Sequence, residues 1–249
     1  MIKTVTIYLL LIISISLFWI DQLNAQIVLD IESGVVSTGY NNVRIPGDQG
    51  TLFSLKKDFD PSIKIFYRIR VDYNIGARHT LSALYAPLTT TSSGRASNDI
   101  AFSGVTFPAN TDIEGTYKFN SYRLTYRYKI IQKEQFDFGL GFTAKIRDAR
   151  IALSTPGLEG EKVNVGFVPI VNFRLLWHLN EKLGLLIDGD ALAAKQGRAE
   201  DILIAATYRL TEKIEMKAGY RLLEGGADND EVYNFALFHY GSIGFLIYL

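Results

Sequence analysis

Charged residues recur at every second position through several segments of this 249-residue chain. Arg68, Arg70 and Asp72 alternate with Tyr67, Ile69, Val71 and Tyr73, and Arg123 and Arg127 alternate with Tyr122, Leu124, Tyr126 and Tyr128. Lys145 and Arg147 flank Ile146, Arg174 sits between Phe173 and Leu175, and Asp188 and Asp190 flank Gly189. Glu215, Lys217 and Arg221 alternate with Ile214, Met216, Tyr220 and Leu222. A period of two sends successive side chains to opposite faces of an extended strand, so one face gathers ions and the other grease. The charged face also takes in Lys64, Lys129, Asp137 and Arg209. Three chemistries suit such a face: an ion-pair plug, a path for anions (bases outnumber acids on it), or an acid–base site. Buried ions must be paired or hydrated, which favours the plug.

Catalysis needs a nucleophile or a poised acid–base pair. The chain has three histidines. His79 and His178 fall beside short turns, and His239 falls on the apolar set of the last strand; its best partner would be Asp190 or Glu224. A lone histidine in a strand is more often structural, so no catalytic residue is assigned and the reading favours a protein that is not an enzyme. The acidic run Glu224 to Glu231 could attract a hard cation, but it lacks the spacing of a dedicated calcium loop, and a solvated turn explains it better. No metal site or cofactor is expected. There is no cysteine, hence no disulfide framework or thiolate site. Zero formal net charge argues against nucleic acid as a partner.

The elements that would carry these residues are strands. Before them, Lys3 precedes an apolar run from Ile7 to Ile20 and then Ala25-Gln26. The run is short of the roughly 20 residues a spanning helix needs, so residues 1–25 read as a secretory signal peptide cleaved near Ala25. Alternation then marks strands over 27–39, 61–73, 79–88, 115–130, 136–146, 163–177, 183–193, 202–210, 214–222 and 231–249. Polar, turn-forming stretches at 40–60, 89–99, 154–162, 194–201 and 224–230 read as loops, with 100–107 as a strand extension. Short turns and longer loops alternate along the chain.

The stretch from Glu231 to Leu249 is the clearest signal. It has no Pro, Lys or Arg, and it places Phe235, Leu237, Ile243, Phe245, Ile247 and Leu249 on one face. It resembles the closing strand of a bacterial outer-membrane β-barrel, although it ends on Leu rather than the usual aromatic. Abundant Tyr and Phe with few Pro suit the same architecture. The resemblance implies an all-β, antiparallel transmembrane barrel over residues 26–249, of about 10 strands with 8 or 12 as alternatives. The ions Arg68, Arg70, Arg123, Arg127, Lys145, Arg147, Arg174, Asp188, Asp190, Glu215, Lys217 and Arg221 would then line the lumen. It further implies an outer-membrane location, contact with membrane lipid and lipopolysaccharide, and recognition of the last strand by the barrel-assembly machinery. No obligate protein partner is expected. The role that follows is structural or a narrow, porin-like transport path. The alternatives are a barrel enzyme acting on lipid or peptide, and an adhesin working through 40–60 and 90–114.

Overall fold

The computed structural model describes residues 26–195 and 197–249; the expected signal segment lies outside the described residues. Every regular element in them is a strand. In chain order they are β1 (Gln26–Arg44), β2 (Phe53–Ser54), β3 (Asp60–Pro61), β4 (Lys64–Ile75), β5 (His79–Ala86), β6 (Thr89–Arg95), β7 (Ile100–Phe102) and β8 (Val105–Phe107). Then follow β9 (Asp112–Gln132), β10 (Phe136–Thr155), β11 (Leu158–His178), β12 (Leu183–Ala194), β13 (Gly197–Arg209), β14 (Ile214–Asp228) and β15 (Tyr233–Tyr248).

Antiparallel pairing runs from β1 through β4, β5, β9 and on to β15, and β15 pairs back onto β1, so the sheet closes. The break at Pro87 and Leu88 splits one stave into β5 and β6, both paired to β9. The barrel therefore has ten staves. Closure matters because an unpaired edge in hydrocarbon leaves polar backbone groups without partners.

The distribution of side chains is inside out. Ile65 is 84% exposed and Phe142 71%, whereas Arg123 is 5% and Lys217 2% exposed. A soluble sandwich puts the charged face outward; here the charged face points in and the greasy face is left for lipid. In β1 the alternation slips at Gly39, where the register to β15 shifts between Thr38 and Tyr40. The bulge moves the inward set from Val36 and Thr38 to Asn41 and Val43.

Several expected loops are strand. Residues 154–162 contract to the tight turn between β10 and β11, 197–201 belong to β13, 89–95 form β6, and 224–228 extend β14. These outer segments stand where both faces meet polar surroundings, so nothing forces hydrophobic alternation although the backbone ladder continues. Residues 45–61 fold back into the barrel mouth instead of standing out as a loop. Ile45, Phe53, Leu55 and Phe59 are buried there with Phe102 and Phe107 of the β7–β8 hairpin and with Phe66, Phe238 and Tyr240 of the wall. Phe53 meets Phe102 edge-on at 5.7 Å.

One part of the wall is incomplete. β11 pairs with β12 only from His178–Gly184 up to Val171–Ala191. Above that rung β11 runs on to Leu158 with β10 as its one strand partner, its Glu161 carbonyl accepting from the Ser103 hydroxyl of the β7–β8 turn (2.6 Å), while β12 turns back into β13 after Ala194. The resulting gap is spanned at its top by the Lys162–Glu231 ion pair (3.4 Å).

Candidate functional site

A band of ion pairs crosses the middle of the lumen. Asp201 of β13 accepts from Arg68 of β4 (2.8 Å), Arg123 of β9 (2.5 Å) and Arg221 of β14 (2.5 Å). Arg123 also donates to Asp190 (2.6 Å), which is further held by Thr143 (2.7 Å) and Asn172 (3.0 Å). Arg221 grips both oxygens of Glu32 (2.7 and 2.9 Å), and Lys217 joins Glu32 (3.0 Å) to Asp30 (2.7 Å). Lower in the barrel Arg70 bonds Asp188, and Arg174 reaches Asp188 (3.4 Å) and Asp72 (3.8 Å). Arg127 donates to Asn172 (3.2 Å) and stands 4.0 Å from Asp72.

Alternation explains the assembly: each strand crosses the barrel once and offers two or three inward positions at this level. Eight-stranded barrels are just wide enough to be filled by side chains, and ten need longer ones, which Arg and Lys supply. Such pairs do not outperform apolar packing in stability, but losing one partner strands the other and costs about 3–5 kcal/mol.

The band separates two cavities. One of about 370 Å³ opens at the short-turn end, with Asp72, Arg127, Arg174 and Tyr248 among its walls. The other, about 490 Å³, lies between the band and the apolar cork at the mouth, beside the gap in the wall. At the outer rim Arg95 donates to Asp112 through Nη2 (2.8 Å) and Nε, and this holds the fully exposed Asp112 carboxyl below its ordinary 3.8.

All twelve ions assigned to the lumen from sequence face it. Ten belong to or border the band. Glu215 instead accepts from the Tyr248 hydroxyl (2.8 Å) near the short-turn end, and Arg147 bonds Asn164 higher up. Three central carboxylates were missed: Asp30, Glu32 and Asp201. The first two sit in the run VLDIES, which does alternate, and Asp201 lay in a segment taken for a loop. Adding them reduces the basic surplus on which an anion path rested. Among the described residues seven cations face six carboxylates through these bridges.

The histidine dyad is not assembled. His239 lies on the outer surface with its Nδ1 2.5 Å from the Tyr220 hydroxyl, while Asp190 is inside the lumen. Glu224 is bound by Arg198 (2.8 Å) and Tyr40. The outer segment offered for adhesion at 40–60 is largely occupied in building the cork.

No family model matches the sequence, and no curated protein matches it. Among solved structures, the outer membrane protease OmpT from Escherichia coli superimposes with a TM-score of 0.53 at 10% identity, covering 90% of this chain and 97% of that one. The chain has the fold of a bacterial outer-membrane β-barrel. Weaker likenesses are the attachment invasion locus protein Ail of Yersinia pestis (TM-score 0.40, 11% identity, 90% and 99% covered) and the translocator domain of autotransporter NalP from Neisseria meningitidis (TM-score 0.44, 12% identity, 90% and 88% covered). At such identities the outer-membrane barrel likeness extends to architecture alone.

Proposed function

We propose that this outer-membrane barrel is a sealed structural element of the envelope, with the ion band as its internal brace. The supporting observation is Asp201, 2% exposed and bonded to three arginines from three other strands. An open path would need these side chains hydrated and apart. The apolar cork adds a second barrier at the mouth. On this reading residues 1–25 direct export and are removed near Ala25, the outer face meets lipid and lipopolysaccharide, and the assembly machinery engages β15.

The test is conductance of the refolded protein in a planar bilayer under a salt gradient. A silent bilayer from barrels that migrate differently on a gel before and after boiling supports the sealed lumen. Steady anion-selective steps would overturn it in favour of narrow transport. In the silent case, Asp201→Asn with Asp190→Asn should open intermittent conductance, because four of the arginine contacts lose their carboxylates.

A further inference from the structure

The cavity above the band contains a buried cation without a counter-charge. Lys145 points inward from β10 and is 2% exposed. Directly opposite it on β9, Arg123 has engaged both Asp190 and Asp201, and among the described residues no carboxylate lies within 4 Å of the Lys145 ammonium. Its close neighbour is the Phe119 ring, 4.7 Å from Nζ. Two residues on, Arg147 bonds Asn164 through Nη2 and leaves its buried Nε without an acceptor. Both cations line the 490 Å³ cavity. Buried charge and buried N–H groups without partners are rare enough to call for an explanation.

The rest of the cavity is wrong for a bare anion. Its volume would hold on the order of fifteen waters, yet Phe119, Ile151, Val168, Leu192, Leu223 and Phe238 supply apolar wall. A pocket with greasy walls and a few convergent cationic donors suits a ligand of the same make-up. The gap between β11 and the β12–β13 hairpin reaches the same cavity from the side. Its lower rung, Val171–Ala191, lies seven residues above the end of β11 at His178. At about 3.3 Å per residue and a tilt near 40°, that is about 18 Å up an apolar band of about 25 Å. The gap thus begins in the outer half of the membrane, and above it Phe167, Val165 and Val163 of β11 continue the exposed apolar surface past the top of the band.

We propose that this cavity binds a single acyl chain ending in an anion, carboxylate or phosphate, which enters from the membrane through the gap and sets its head on Lys145 and Arg147. The site does not require the ion band beneath it to stay closed.

The experiment is displacement of a fluorescent polyene fatty acid from the refolded protein in non-ionic detergent. Palmitate or lysophosphatidate should displace the probe, and which of them binds more tightly identifies a free fatty acid or a membrane lipid as the source. Methyl palmitate should be at least about tenfold weaker, and inorganic phosphate alone should have no effect. Lys145→Met should weaken the acid about tenfold while leaving the ester unchanged. If that variant does not fold, Arg147→Gln, nearer the surface, serves the same comparison. Equal binding of acid and ester, displacement by inorganic phosphate alone, or unchanged affinity in the folded variants would overturn the proposal. Entry is read separately in the mature protein with Leu192→Trp after Trp177 is replaced by Phe. Vesicles of phosphatidylglycerol brominated in its acyl chains should quench that tryptophan, and absence of quenching would overturn entry through the wall.

Discussion

Asp201 shows how much can depend on one carboxylate. It neutralises three guanidinium groups, and among the described residues no other carboxylate of the band pairs with as many cations. Asp201→Asn keeps the shape but leaves Arg68, Arg123 and Arg221 short of one negative charge. The expected loss is about 3–5 kcal/mol, seen as a lower urea midpoint for loss of the heat-modifiable band. Gly34 carries a different constraint. It sits in β1 at φ +143°, facing the lumen beside Phe66, where a side chain would also run into the Gly241 carbonyl. Gly34→Ala should cost about 1–3 kcal/mol in the same assay. Asp112 at the rim offers a titration. Its folded carboxyl is held below 3.8 by Arg95, so the pair's contribution is present above the unfolded value and lost as the pH falls through the lower folded one. Carboxyl-carbon NMR should show it titrating below ordinary aspartates, with Arg95→Gln restoring the usual range. Because the pair is fully exposed, the melting temperature should barely move.

At the scale of strands, the unpaired stretch of β11 is the most informative. Backbone groups of Lys162 to Ile170 that face the gap have no neighbouring strand, whereas the β9–β10 ladder is continuous from Gly139 to Ser154. Hydrogen exchange should therefore be faster at alternate amides of 162–170 than at 139–148 of β10. The strands within the apolar band were legible in the sequence because lipid on one side and ions on the other enforce the period of two, as in 64–73, 122–130 and 214–222. The outer extensions were not. In GRAED of β13 both faces are polar or small, so composition imitates a loop while the ladder with β12 and β14 holds. That is why Asp201, the centre of the band, escaped notice. The gap between β11 and β12 left no mark either, since the length of a hairpin depends on where its turn falls, and AKQG is an ordinary turn sequence.

Taken whole, the molecule is a cylinder closed by two unlike barriers, one ionic at mid-height and one apolar at the mouth, with a side-facing chamber between them. The barriers should respond differently to the solvent. A kosmotropic salt such as sulfate strengthens apolar burial, while buried ion pairs are screened little. If conductance appears at all under stress, it should appear in variants of the band and not after Phe53→Ala alone, because the cork can loosen while the band still blocks the path. Bilayer recordings of Phe53→Ala beside Asp190→Asn with Asp201→Asn would check this order.

The links between Lys217 and Asp30, 187 positions apart, and between Arg221 and Glu32, 189 apart, join almost the two extremes of the chain. The two acids belong to the first stave and the two bases to the ninth, and the tenth lies between them. Until the last forty or so residues arrive, Asp30 and Glu32 lack Lys217 and Arg221, and have only Arg70 and Arg68 opposite them on the next strand. A half-built cylinder must therefore stay wet inside, and its drying coincides with the joining of its ends. The consequence is a penalty on wrong closure: a cylinder that closes with a stave missing, or one residue out of step, would trap unmatched charge.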